Sequence, residues 1–377
     1  MAFISEHFAT HPTRKRHLWL VSLAYPMFPL AGTGLAWFTG HGAWVWLTVI
    51  VAYLILPILE VLAGDDTTDL LGQMDAEAAM SPFYKYMVHG LLPVIYLTWI
   101  LGAAYVATQN PSLVTLIGVG IGHGLGLGFA INSGHEVGHK TDRVSKWISL
   151  LMLAPSLYGH FRIEHNVGHH SDVATPRDSA TSYFGESFWH FIGREVPGAW
   201  KRAWRIESKR AARKGYSRFS LRNEVVAATL LGLAAWGMML SIFGFVILPY
   251  LLFAWIFSVH SLSLQNYIAH YGLLRDQRPD GKYLPAQPEH SWNCNKLMTN
   301  LITYNLARHS DHHANPSRHY QKLRNFPDVP EMPMGYGAMF LMAYFPPLFR
   351  RVMDPLVLAN VDGDMSRVLT KEKMLAG

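Results

Sequence analysis

Nine histidines in four short motifs carry the chemical potential of this 377-residue chain. The first motif is His135-Glu136-Val137-Gly138-His139, and the second is Glu164-His165-Asn166-Val167-Gly168-His169-His170. The third, Asn266-Tyr267-Ile268-Ala269-His270-Tyr271-Gly272, holds one histidine; the fourth, Arg308-His309-Ser310-Asp311-His312-His313, holds three. Side chains four apart on a helix share a face. That spacing predicts that His135 converges with His139, and His165 with His169, each pair on one ion. An adjacent residue points about 100° away, so the second ring of His169-His170 and of His312-His313 faces elsewhere. A helix carrying such a doublet can serve two metals. Nine neutral imidazoles shared by two ions give four or five each and leave a position open for oxygen. Imidazole suits iron, copper and zinc.

Narrower chemistries account for parts of this set. His135, Glu136 and His139 match the H-E-x-x-H zinc-protease pattern, with Glu136 as general base. Read alone, they fit an intramembrane zinc protease. Such a site needs three protein ligands and a water, which leaves most of the other histidines without a role. His270 in isolation reads as a hydrogen-bonded core residue, but its place below an apolar run and near the other motifs makes it a ligand. His89, His123 and His260 lie in apolar runs, where histidines can mark a polar pathway. They have no companions at ligand spacing and read as structural.

Elements that hold these motifs together must suit an unusual composition. Half of the residues are hydrophobic, 15% are charged and the mean hydropathy is +0.12, whereas a soluble domain is roughly 25% charged. Disordered, collagenous and nucleic-acid-binding readings are excluded despite a net charge of +6. The single cysteine, Cys294, excludes an internal disulfide, a thiolate zinc finger and a multi-thiolate iron–sulfur site. Six windows contain no Lys, Arg or Asp: 18–38, 43–63, 86–108, 113–131, 225–243 and 245–264. Each approaches the ~20 residues that cross a bilayer as a helix. Their one acid, Glu60, is near a window end and is expected at the interface. The shorter run 148–158 reads as interfacial or re-entrant.

All 32 basic residues fall on one side of that plan. Three (Arg14, Lys15 and Arg16) precede the first span, Lys85 lies between spans two and three, 15 lie between Lys140 and Arg222, and 13 follow Arg275. Basic loops stay cytoplasmic, so both termini and all four motifs are expected there. The fold class is all-α: one membrane domain, a six-transmembrane-helix bundle with a cytoplasmic histidine-rich cap formed by 132–222 and 265–377. No cleavable signal is evident. A transporter would line its spans with clustered histidines, yet all nine lie at least four residues beyond the expected span ends.

The motifs, their order and their setting after a hydrophobic hairpin resemble the integral-membrane alkane hydroxylases (alkane 1-monooxygenases). That family belongs to a membrane histidine-cluster group with fatty-acid desaturases and xylene monooxygenase. The resemblance runs from about Trp19 to Leu358 and includes NSGHEVGHK (132–140), GHFRIEHNVGHHSDVATPRDSATS (159–182), NYIAHYGLLR (266–275), HSWNCN (290–295) and ARHSDHHANPSRHYQKLRNFP (307–327). The VATP-x-D and NY-x-x-HYG stretches favour alkane hydroxylase over desaturase or methyl-aromatic hydroxylase. One position departs from the family pattern: Ala269 stands where an acid usually precedes the third-motif histidine, which removes a carboxylate able to orient that imidazole.

The resemblance implies a non-haem di-iron monooxygenase of the bacterial inner membrane. Its metal ligands would be His135, His139, His165, His169, His170, His270, His309, His312 and His313. It would convert a straight-chain alkane, O2 and two electrons into a 1-alkanol and water. Electrons would come from rubredoxin and its NAD(P)H-dependent reductase, and the chain itself would bind no NAD, flavin or haem. It shows no G-x-G-x-x-G fingerprint in a strand-to-helix context. The basic surplus of 140–222 suits anionic lipid and an acidic electron carrier. Alternating glycines from Gly118 to Gly128 form two ridges of four-residue spacing. They favour close helix packing, with room for an alkane beside Gly124 and Gly128 as the second expectation. The apolar run 334–349 is expected to pack on the membrane face or cap the metals, and the stretch from Asp362 to be a polar, mobile tail.

Overall fold

The computed structural model describes residues 17–66 and 81–376. Arg14, Lys15 and Arg16, used above to orient the first span, lie outside the described residues. Among these residues the chain is helical, and β-pairing is confined to four isolated bridges. Among the described residues five helices are long and apolar enough to cross a membrane, which makes this an integral membrane protein. They are α2 (Gly42–Ala63), α3 (Pro82–Gln109), α4 (Leu113–Gly138), α8 (Glu224–Phe243) and α9 (Phe245–Ala269).

The expected first span is not one continuous helix. A short turn of helix, Val21–Ala24, is followed by α1 (Met27–Thr39), with Pro26 at the break. Proline has no N–H to continue the ladder, and the 13 residues of α1 rise only about 20 Å. Glu60 is covered by the protein itself. It is buried in the last turns of α2, where its carboxylate accepts from the Thr299 hydroxyl.

Local signals start the long helices where the sequence offers a side-chain acceptor. Ser112 caps α4, Asp142 caps α5 (Arg143–Leu153), Ser187 caps α7 (Phe188–Arg213) and Asn223 caps α8. Each accepts an otherwise orphaned backbone N–H of the first turn. The sharp turn between α8 and α9 places Gly244 at φ 77°, a backbone region that glycine enters without steric cost.

The alternating glycines of α4 set the centre of the bundle. A Cβ on Gly124 would lie 2.5 Å from that of Phe257, and one on Gly128 would lie 2.7 Å from that of Ser261. Gly120 meets Phe253 in the same way, so this ridge packs directly on α9. The other ridge faces elsewhere: Gly118 lies against Val45 of α2, and Gly126 against Pro29 of α1. Close helix packing is therefore what these glycines do. Contact positions 120, 124 and 128 pair with 253, 257 and 261 in ascending order, so α4 and α9 run parallel. That register delivers His135 and His270 to the same end of the bundle.

The remaining elements close over that end. A distorted helix, α6 (161–172), crosses it, followed by α7, α10 (Leu297–Thr303) and α11 (His309–Ala314). The apolar run 334–349 forms α12 (Tyr336–Ala343), which packs beside α2 and α9, and then enters α13 (Pro346–Ala359). The end of the chain is not a free tail. Val368 and Leu369 are fully buried, and the Leu369 backbone bonds Gly272 and Phe184.

Candidate metal centre

The nine motif histidines come together at the shared end of α4 and α9, in two adjoining groups. One holds His135, His139, His165, His170 and His312; the other holds His169, His270, His309 and His313. Within each group the candidate ligand nitrogens all lie within 4.8 Å of one another. The rings of His170 and His313, one from each group, have centroids 4.4 Å apart.

The partition differs from the sequence expectation at one point. His165 does not pair with His169. It faces His170, five residues on, with Nε2 atoms 2.9 Å apart. The reason is local: residues 164–169 form a π-helix, and the His170 N–H reaches the His165 carbonyl. Bonds from i to i+5 widen the turn, so the fifth residue returns to the face of the first and His169 is released to the second group. The fourth motif stays α-helical and follows the four-residue rule. There His309 and His313 share the second group, and His312 turns to the first.

Donor chemistry and spacing both suit a cation in each group. The His169 Nδ1–H donates to Asp178 at 2.8 Å, which leaves its Nε2 lone pair bare and unpartnered in a buried setting. His309 commits its Nδ1–H to the Leu306 carbonyl at 3.1 Å, yet its Nε2 faces the Nε2 atoms of His270 and His313 at 3.1 and 3.0 Å. In the first group His135 Nε2 faces His139 at 2.8 Å and His312 at 3.1 Å. Imidazole nitrogens about 2.1 Å from a metal lie about 3.0 Å apart at right angles and about 3.4 Å apart in a tetrahedron. The observed edges of 2.8–3.1 Å are of the size that imidazole nitrogens gathered on one cation adopt. Burial, reinforced by neighbouring imidazoles, holds His139, His165, His170, His312 and His313 well below the ordinary histidine pKa, so all are neutral donors.

Around the imidazoles lies a buried polar network that motif reading did not assign. Asp178 joins His169 to Arg202, whose guanidinium donates to it at 2.9 Å and to Glu164 at 3.3 Å. Burial opposes ionisation of Asp178, but His169, Arg202 and the Thr181 hydroxyl outweigh it and keep the carboxylate charged. Gly168 has no side chain because the Arg202 methylene occupies that space. Asp178 lies in the VATP-x-D stretch noted above, the one signal that pointed near it. Among the described residues no acid pairs with His270 in place of the one missing at Ala269; His270 Nδ1 instead lies 3.5 Å from Ser291 Oγ.

Glu136 turns away from the imidazoles and pairs with Lys140 at 2.8 Å, so the general-base geometry of a zinc protease is absent. His123 is a satisfied structural residue, between Thr33 at 2.8 Å and Tyr250 at 3.1 Å. His89 and His260 likewise stand outside both groups.

An apolar cavity approaches the centre from within the bundle. It encloses about 730 Å³ including its mouth, between α2, α4, α9, α10 and α12. Leu125, Phe129 and Asn132 line it along one face of α4, and Asn132 stands one turn before His135. Gly128 borders it and Gly124 does not.

Comparison with known proteins bears on what such a site serves. A fatty acid desaturase family model matches residues 110–341. Alkane 1-monooxygenase 1 of Alcanivorax borkumensis is 42% identical over 94% of this chain and 88% of its own length. The alkane 1-monooxygenase of Pseudomonas putida is 40% identical over 96% and 90%. This chain belongs to the alkane 1-monooxygenase family. The hydroxylase component of xylene/toluene monooxygenase from Pseudomonas putida is 26% identical over 87% of the chain and 86% of its own length. Within the alkane 1-monooxygenase family, the histidine motifs account for the five-and-four grouping and the bundle accounts for the apolar cavity beside it.

Proposed function

We propose that this chain is a di-iron alkane 1-monooxygenase that hydroxylates the terminal carbon of straight-chain alkanes. The observation that carries the reading is the apolar cavity ending at Asn132, one turn from nine imidazoles grouped five and four. In it His135, His139, His165, His170 and His312 would hold one iron, and His169, His270, His309 and His313 the other. The irons supply oxygen activation and C–H oxidation, by which RH, O2, two electrons and two protons give ROH and water. The protein contributes the ligands, the positioning and a dry site.

Chain residues supply the selectivity. Leu125, Phe129 and Asn132 succeed one another toward His135, so a linear chain entering the cavity arrives end-first. Asp178 fixes His169 in the Nδ1–H tautomer and holds its ring in place, the second-sphere role of a carboxylate on a ligating imidazole.

Electrons come from outside, because one cysteine cannot build a thiolate iron site; rubredoxin is the donor that the family resemblance implies. The basic surplus and the shared end of α4 and α9 support six spans in the bacterial inner membrane with the histidine cap in the cytoplasm. In that arrangement Val21–Thr39 crosses as a broken helix.

The test is a product assay. Membranes containing the protein, rubredoxin, its reductase and NADH receive mixed n-alkanes under ¹⁸O₂, beside a His165→Ala control. Labelled 1-alkanols absent from the control are expected. Alkenes without label, from protein that holds two irons, would instead indicate desaturation.

A further inference from the structure

Away from the imidazoles, an open cleft of about 1060 Å³ lies where the first turn of α8 meets α5 and the end of α7. Its polar side holds four cations, Lys146, Arg210, Lys214 and Arg222, against one acid, Glu224. Glu224 is already saturated: it pairs with Lys146 at 2.7 Å, with Arg210 at 3.1 Å and with Arg162. Lys214 and Arg222 are exposed and make no ion pair among the described residues. The other wall is apolar, formed by Trp147, Leu150, Leu221 and Ala227. Trp147 and Leu221 are 51% and 70% exposed, which is unfavourable in water and ordinary at a bilayer interface.

The position of the cleft decides what it takes. Ala227 stands at the head of α8, a membrane-spanning helix whose outer surface continues through the exposed Leu230, Leu233, Met238 and Ile242. A ligand with its head among Lys214 and Arg222 therefore has an apolar track below it that leads into the hydrocarbon. Basic pockets at the ends of spans suit anionic lipid headgroups. A soluble anion would leave the apolar wall uncovered, and an acidic protein surface would not follow α8 downward.

We propose that this cleft is a binding site for an anionic phospholipid. Lys214 and Arg222 take its phosphodiester, Tyr216 borders the headgroup, and Trp147, Leu150 and Ala227 receive the start of an acyl chain. The proposal rests on the membrane-spanning character of α8, and on neither the di-iron reading nor the orientation of the bundle.

Native mass spectrometry of the full chain in mild detergent, with equimolar phosphatidylglycerol and phosphatidylcholine, reads the site directly. Wild-type protein is expected to retain phosphatidylglycerol preferentially, by about 30-fold, the order set by two cations engaging one anionic headgroup. Lys214→Gln with Arg222→Gln should bring retention close to parity while the melting temperature in phosphatidylcholine stays unchanged. Trp147→Ala, which keeps every cation, should weaken retention of the same lipid. A control pair on the exposed face of α7, Lys201→Gln with Arg205→Gln, should leave the preference intact. Equal retention of both lipids by the wild type would overturn the proposal. So would a preference that survives loss of Lys214 and Arg222, or one lost equally in the control pair. Displacement by millimolar inorganic phosphate would show a soluble-anion site instead, and unchanged retention in Trp147→Ala would remove the acyl contact.

Discussion

Asp178 is the residue on which the second histidine group turns. It orients His169 and neutralises Arg202 in a setting where neither group reaches water. Asp178→Asn keeps an acceptor for the Nδ1–H but removes the charge and leaves a buried guanidinium less well paired. Loss of such a carboxylate costs roughly 10–100-fold in metal affinity or activity. Iron retained per chain after challenge with a chelator should fall accordingly; wild-type retention and turnover would show that Asp178 serves the fold alone. A second buried acid, Glu195, lies farther out and accepts from Ser263 and Asn266 at 2.7 and 3.2 Å. Burial pushes its pKa up to about 7 from 4.5. An acid raised on folding binds more protons folded than unfolded, so stability falls as pH climbs from about 4.5 to 7 and stays reduced above. The full cost is on the order of 3 kcal/mol. Glu195→Gln removes the ionisation, so its melting temperature should exceed the wild type's at pH 8 and converge with it near pH 4.5. A pH-independent difference would count against this account. The histidines were legible in the sequence because ligand types at helical spacing are rare together. Asp178 and Glu195 were not, because what gives an acid such a role is a partner brought to it by the fold.

At the scale of elements, two helices decide what the site can hold, and they differ in how openly the sequence declares them. The glycine ridges of α4 were legible as packing surfaces, since small residues four apart let backbones meet. The structure adds which neighbour each ridge meets. The π-turn of α6 was not legible. Nothing in Glu-His-Asn-Val-Gly-His distinguishes a four-residue from a five-residue return; tertiary contacts such as the packing of Gly168 under Arg202 and the bond from Asn166 to the Gly138 carbonyl hold the local path. The same contacts separate two ways of altering chain length. Gly128→Leu forces a side chain into Ser261 at the α4–α9 contact, so it should impair folding rather than trim the cavity. Leu125 lines the cavity ten residues before His135, about 15 Å along the helix. Leu125→Trp should therefore keep the fold and shorten the longest alkane hydroxylated. Chain-length profiles of the two variants, with melting temperatures beside them, separate these effects. An unchanged profile in well-folded Leu125→Trp would place the substrate elsewhere.

At the scale of the whole molecule, the physics of insertion gives a definite expectation for which way the bundle faces. Among the described residues every Lys and Arg lies on the histidine side of the spans, and the opposite loops around Gly40, Asn110 and Gly244 have none. An excess of Lys and Arg holds loops in the cytoplasm, so the metal centre, the α7 surface and the chain end should all face inward. Composition made the membrane class legible at once. It could not show the break at Pro26, because hydropathy averages over a window and a single missing N–H does not change the average. The native cysteine background makes orientation simple to read. Cys294 is fully buried, so the wild type should not react with a membrane-impermeant maleimide. Asn110 and Asp280 are both exposed and lie at opposite ends of the bundle. Asn110 sits at φ 43° in the turn between α3 and α4, a region that a cysteine enters at modest cost. In intact spheroplasts Asn110→Cys should label at once, and Asp280→Cys only after the membrane is opened. The reverse pattern would put the histidines outside, where an NADH-fed electron donor could not reach them, and would overturn the electron-transfer reading while leaving the five-and-four geometry as it stands.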